Sequence, residues 1–149
     1  MNDINIVRLG DFHKQRLVFL CLPGLETFLK DIVTSFSGDY IVETCYSKSL
    51  SALEEAIDRA DLVWIEWANE LAIELTRKVV SLESKKVIIR LHSYEALSGF
   101  VQYIKWSVVD VLIFVAEHIK RFVLQQLPGL GNPAMNPPEL YVVPNGVKI

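Results

Sequence analysis

Short apolar runs that recur along the chain, each followed by a segment of helical period, constrain this sequence more than any other feature. Arg16 to Leu22 (RLVFLCL), Tyr40 to Tyr46 (YIVETCY), Leu62 to Trp67 (LVWIEW), Val87 to Leu91 (VIIRL) and Val111 to Ala116 (VLIFVA) are strand-length. A run such as Arg16 to Leu22, with no polar alternation, reads as a strand covered on both faces, the condition of a central strand in a parallel sheet. Between these runs the period changes. Leu25, Phe28, Leu29, Ile32, Val33 and Phe36 follow helical spacing up to Gly38, and Leu50, Leu53, Ala56 and Ile57 do so after a serine-rich opening. Further helices are predicted over Asn69 to Leu82 and Glu117 to Leu127, and an amphipathic helix over Tyr94 to Ile104 would bury several aromatic residues. Alternating strands and helices force right-handed crossovers. The predicted fold class is therefore α/β, a Rossmann-like doubly wound parallel sheet with helices on both faces.

Composition limits what such a domain can be. A chain of 149 residues, 51% hydrophobic, is the size of one domain with a substantial core. The net charge of −3 offers no basic excess to attract nucleic acid. Cys21 and Cys45 lie in apolar runs and behave as small hydrophobes, suggesting neither a disulfide framework nor a zinc site and fitting a reduced, intracellular setting. No apolar run approaches the roughly 20 residues that cross a bilayer, and Met1 to Gln15 lacks the apolar core of a secretion signal. Residues 1–15 read as a leader or a short extra strand over Ile4 to Leu9. Pro128 to Pro138 carries four of the six prolines and has a loop composition. Leu140 to Val143 is a last strand, and Pro144-Asn145-Gly146 turns the chain sharply after it.

In an open parallel sheet ligands bind beyond the carboxyl ends of the strands. That rule selects Pro23 to Thr27, Glu66 to Glu70, His92 to Glu95, Glu117-His118 and Pro144 to Gly146. Gly24 leads into a helix whose free N–H groups suit a phosphate or a sugar hydroxyl, and it equally suits a simple turn. His92 can bond a sugar hydroxyl or share a proton, or else cap the turn that follows. Glu66, between Trp64 and Trp67, must be solvated in the crevice or paired, because burial alone is expensive. Asn69 and Glu70 read as the N-cap and first turn of a helix. Glu117 suits a helix first turn or a binding position at the crevice. Between Ser93 and Trp106, the aromatic residues Tyr94, Phe100, Tyr103 and Trp106, with Gly99, supply a candidate acceptor pocket or ordinary core. Neither G-x-G-x-x-G nor G-x-x-x-x-G-K-[ST] occurs, so simple NAD and ATP readings fall away. The scatter of His92, Glu95 and His118 has no ligand spacing for zinc, and no metal site is expected.

The segment Val142-Val143-Pro144-Asn145-Gly146-Val147 resembles the one that closes the first domain of GT-B fold glycosyltransferases of the retaining family 4. Pro23-Gly24 after the first strand, Leu91-His92-Ser93 after a middle strand and Phe114-Val115-Ala116 before a helix extend the resemblance over residues 16–147. It implies the N-terminal half of a GT-B fold, the acceptor-binding side of an enzyme that moves a sugar from a nucleotide-sugar to a glycan or lipid-linked acceptor. By position, His92 matches a histidine that contacts the transferring sugar, a catalytic assignment. Gly24 matches the loop near donor phosphates or acceptor. Glu66, Ser93, Tyr94 and Glu117 are crevice neighbours assigned to substrate, and Pro144, Asn145 and Gly146 form the interdomain linker. Most donor contacts in that family come from a second, C-terminal domain, so residues 148–149 would begin the connection to it, and a chain without it should not turn over. The nucleotide-sugar is a substrate and no separate cofactor or metal is implied. The expected setting is cytoplasmic, with peripheral contact at the inner face of a membrane where the acceptor is lipid-linked. The reading from another class is a non-enzymatic, flavodoxin-like interaction or regulatory module. Its phosphoacceptor version lacks acidic residues directly after the first strand, which ends in Leu22-Pro23.

Overall fold

The structure, a computed structural model, describes residues 14–145. Six strands form one sheet: β1 (Arg16–Cys21), β2 (Ile41–Tyr46), β3 (Leu62–Glu66), β4 (Lys86–Leu91), β5 (Val111–Phe114) and β6 (Glu139–Val142). Their order is β2-β1-β3-β4-β5-β6 and every pairing is parallel. The Rossmann-like doubly wound architecture expected from the alternating periods is the one observed. The Ile4 to Leu9 stretch, Gly146 and the residues after it lie outside the described part.

Five α-helices connect the strands: α1 (Lys30–Phe36), α2 (Leu50–Arg59), α3 (Glu70–Lys78), α4 (Ser93–Ser98) and α5 (Glu117–Gln126). Because the chain steps from β1 outward to β2 and then back across to β3, right-handed crossovers place α1 on one face and the later helices on the other. The core divides accordingly. Leu17, Phe19, Cys21, Leu62 and Trp64 pack with Leu29 and Ile32 on the α1 side. Val18, Leu20, Val63, Ile65, Val87, Ile89, Leu91, Leu112 and Phe114 pack on the other side with residues of α2 to α5. Strand β1 is buried from Leu17 to Cys21, as its unbroken apolar run requires. Truncation of the fully buried Phe19 or Phe114 to alanine would cost about 3–5 kcal/mol.

Local chemistry sets the helix starts. Ser49 caps α2 by accepting from the Ala52 N–H, and Asn69 caps α3 by accepting from the Leu71 N–H, with Glu70 in the first turn. Two expected helices differ. The one expected from Leu25 starts at Lys30, because Glu26–Phe28 winds as a 3-10 turn that leaves the Phe28 carbonyl for a side chain. The Tyr94 to Ile104 helix stops at Ser98, where Gly99 takes a left-handed φ of 80°, and a 3-10 turn (Phe100–Gln102) continues the chain. Pro128 to Pro138 continues neither helix nor strand and winds as two short 3-10 turns.

Candidate functional site

Alternation along β3 and β4 decides where the polar groups go. Glu66 and Arg90 are direct register partners, so they project from the same face, that of α1. Trp64 lies two residues before Glu66 and His92 two residues after Arg90, which brings both to that face as well. Leu20 pairs with Ile65, placing Cys21 of β1 beside Glu66. A polar row thus crosses the carboxyl ends of β1, β3 and β4, the region where the strand order reverses direction.

Glu66 is fully buried and fully partnered. Its Oε1 accepts from Trp64 Nε1 at 3.2 Å and Arg90 Nε at 2.9 Å; Oε2 accepts from Arg90 Nη2 at 2.5 Å and meets His92 Nε2 at 3.1 Å. Burial is the largest single influence on this carboxyl and pushes it upward, but the hydrogen bonds from His92 and Arg90, with the Arg90 charge, together hold it below the usual range. An ionised carboxylate only accepts, so the His92 proton sits on Nε2. Arg90 completes its set with the Phe28 carbonyl at 3.3 Å and Asn145 Oδ1 at 3.1 Å. The Cys21 thiol, next to this row, is pushed up to about 12 by burial first and by Glu66 and Glu26 next, which keeps it protonated and inert.

Aromatic rings close the cluster. Trp67 stacks on the His92 imidazole with centroids 3.8 Å apart, Phe28 lies 5.4 Å from the same ring, and Trp67 Nε1 donates to the Leu25 carbonyl at 2.9 Å. Trp67 holds a φ of 76°, a left-handed conformation costly for a bulky side chain. Glu95, also fully buried, ties the loops together: its Oε2 accepts from the His92 N–H at 2.8 Å and the Ala68 N–H at 2.9 Å.

Of the sequence-selected residues, Glu66, His92 and Asn145 converge through Arg90. Leu25 and Phe28, on the chain just after Gly24, touch the same group. His92 takes the capping position at the start of α4, its N–H donating to Glu95 Oε2, while its ring reaches Glu66. Glu66 resolves as paired, not solvated. Gly24 turns the chain in the open with a φ of 89° and nothing within 4 Å of a would-be side chain. Ser93, Tyr94 and Pro144 are exposed, and Glu117 is exposed at the start of α5 without a hydrogen bond to the cluster among the described residues. The aromatic group after His92 forms no enclosed pocket, since Tyr94 and Tyr103 face solvent.

Trp67 and Glu95 belong to strand-end segments that the sequence marks, whereas Arg90 and Phe28 lie just outside them. A signal for Arg90 existed: a single acid in one apolar strand, LVWIEW, and a single base in the next, VIIRL, call for each other once the strands are neighbours. The cluster is a closed one. A concavity of about 290 Å³ beyond the ends of β1 and β2, lined by Leu22, Lys48, Leu53, Glu70, Leu71 and Glu74, opens on the other face of the sheet. Among the described residues no group of three or more His, Cys, Asp or Glu side chains is placed to hold a metal ion, and no helix is long and apolar enough to cross a membrane. In comparisons with known proteins, no family model, no curated protein and no solved structure matches the chain.

Proposed function

We propose that this chain is the acceptor-side domain of a cytoplasmic two-domain glycosyltransferase that moves a sugar from a nucleotide-sugar to a glycan or lipid-linked acceptor, with His92 at its centre. One observation carries the reading. The segments on which the glycosyltransferase resemblance rests, Leu91-His92-Ser93 and Pro144-Asn145, meet through Arg90 and Glu66 at the carboxyl ends of a parallel sheet, where α/β domains bind ligands. The chain just after Pro23-Gly24 joins them through the Leu25 and Phe28 carbonyls. In this reading Glu66 fixes the His92 tautomer and ring position, and the Trp67 and Phe28 rings border the place where a sugar would lie. Nucleotide contacts belong to a C-terminal domain.

The test is a transfer assay on the product of the complete reading frame, offering labelled nucleotide-sugars to glycan and lipid-linked acceptors. His92→Ala should lower turnover at least about a hundredfold, the range of general acid–base groups, with an unchanged far-UV spectrum. Transfer at the parental rate removes His92 from the site, and no transfer from any donor removes the enzyme reading.

Two observations favour a second reading, a non-enzymatic flavodoxin-like module. The order β2-β1-β3-β4-β5 is that of flavodoxin-like sheets, and Glu66 and His92 are 0% and 4% exposed. A reading frame that continues past Ile149 into a second α/β domain favours the transferase; one without such a domain favours the module.

A further inference from the structure

From Ser93 to Ile104 the chain presents no charged side chain to solvent, because its one carboxylate, Glu95, is fully buried. What it presents is apolar. Tyr94, Leu97, Phe100 and Tyr103 recur at every third position along α4 and the 3-10 turn after it, while Ala96, Val101 and Ile104 take the inward positions. Tyr94, Leu97 and Tyr103 are 61%, 74% and 59% exposed, Phe100 is half-buried, and the Tyr94 and Phe100 rings lie 6.2 Å apart. These four form a continuous outward ridge. One border of it is basic. Arg77 Nε donates to the Tyr103 carbonyl, Lys78 follows on α3, and Lys105 stands two residues past Tyr103, sharing Glu83 at 3.3 Å. Among the described residues Arg77 and Lys78 enter no ion pair.

We propose that this ridge docks the chain on a membrane surface that carries anionic lipid. Leu97 and Phe100 enter the boundary of the acyl chains. Tyr94 and Tyr103, apolar in body and polar at the tip, sit at headgroup level, and Arg77 and Lys78 meet the lipid phosphates. An exposed apolar patch of a few hundred Å² is often functional on a monomer, and the absence of exposed charge along this one suits a hydrocarbon boundary. A second copy fits less well, since these side chains offer on the order of 400 Å² of contact where a stable pair needs about 800 Å² per partner. The ridge begins two residues beyond His92, so a bilayer held there lies beside the closed cluster. The inference needs only this surface and stands whether or not the chain belongs to a transferase.

Co-sedimentation of the purified chain with vesicles tests it, one set of phosphatidylcholine alone and one with about one-third phosphatidylglycerol. The chain should sediment with the anionic vesicles and be released at about 1 M salt, where screening shortens the reach of the arginine and lysine charges to about 3 Å. Leu97→Glu, checked for an unchanged thermal midpoint, should reduce binding at least about tenfold, since docking would carry a charge into the acyl boundary in place of an apolar side chain. Arg77→Gln should weaken binding to the anionic set alone. Failure of the parent chain to bind either set overturns the proposal, as does parental binding by Leu97→Glu. Equal binding to both sets overturns the role of lipid charge. A dimer seen by light scattering that Leu97→Glu abolishes, with no vesicle binding, gives the ridge to a second copy and overturns it too.

Discussion

Replacing Arg90 with methionine isolates what the buried cluster contributes. The methionine keeps the apolar stem and removes two of the four hydrogen-bond contacts to Glu66 together with the positive charge of the guanidinium. Hydrogen bonds to charged groups contribute about 1.5–3 kcal/mol each, so two amount to about 3–6 kcal/mol. The general cost of stranding one member of a buried pair, about 3–5 kcal/mol, agrees. For a domain with about 5–15 kcal/mol in total, that is a large fraction, and the thermal midpoint should fall by about 6–20 °C. The pH dependence has a definite sign. In the parent, Glu66 is held below its ordinary value, so its contribution is present above the unfolded value of about 4.3 and is lost as pH falls through the folded one. Without Arg90, burial dominates and raises the carboxyl, so the variant instead loses stability as pH rises through that raised value. Urea unfolding followed by tryptophan fluorescence should therefore show the gap between parent and variant widest at neutral pH and narrower near pH 4. The companion Glu66→Leu/Arg90→Met, which strands no charge, should recover most of the loss. A gap under about 1 kcal/mol at neutral pH, or one that widens on acidification, would refute the reasoning.

The other stability predictions follow from single caps and clamps. Asn69→Ala should cost about 1 kcal/mol in urea unfolding, because the Leu71 N–H loses its acceptor at the start of α3. Glu95→Ala should cost about 2–5 kcal/mol, because the His92 and Ala68 N–H groups are left buried without an acceptor, and Glu95→Gln should recover part of it; amide exchange at His92 and Ala68 reports the difference.

The layered architecture was legible because most strands announced themselves as short, largely apolar runs and the helices by their apolar period, with Asn69 visible as a cap as well. The order of the strands was not, since hydrophobic pattern reports burial and not neighbour. That gap hid the cluster. Glu66 and Arg90 are 24 residues apart in sequence, and only the β3–β4 register makes them partners. Glu66 was visible as a carboxylate in need of a partner, whereas the left-handed backbone of Trp67 was not, because nothing local announces it. The aromatic segment after His92 misled for the opposite reason. Its helical spacing is real, but Gly99 breaks the helix and the three-residue period turns Tyr94, Leu97 and Tyr103 outward, a choice of face that spacing alone leaves open.

Trp67 offers a separate way to ask whether the cluster is held closed at a cost. Its φ of 76° persists because three contacts fix it: the N–H donates to the Arg90 carbonyl at 2.9 Å, Nε1 donates to the Leu25 carbonyl, and the ring stacks on His92. Two substitutions separate these effects. Trp67→Ala removes the ring but keeps a Cβ in a left-handed backbone, whereas Trp67→Gly removes the ring and the steric penalty together. If the backbone conformation is retained, the glycine variant should be more stable than the alanine variant by about 1 kcal/mol, although glycine ordinarily loses about that much to chain entropy elsewhere. Both variants should uncover the His92 ring, which is 4% exposed in the parent, and raise its rate of modification by diethyl pyrocarbonate to a similar extent. An alanine variant as stable as the glycine one means that the backbone relaxes to an ordinary conformation once the stack is gone. In that case it is the ring contacts, and not the Arg90 carbonyl bond, that bend the end of β3 over the cluster.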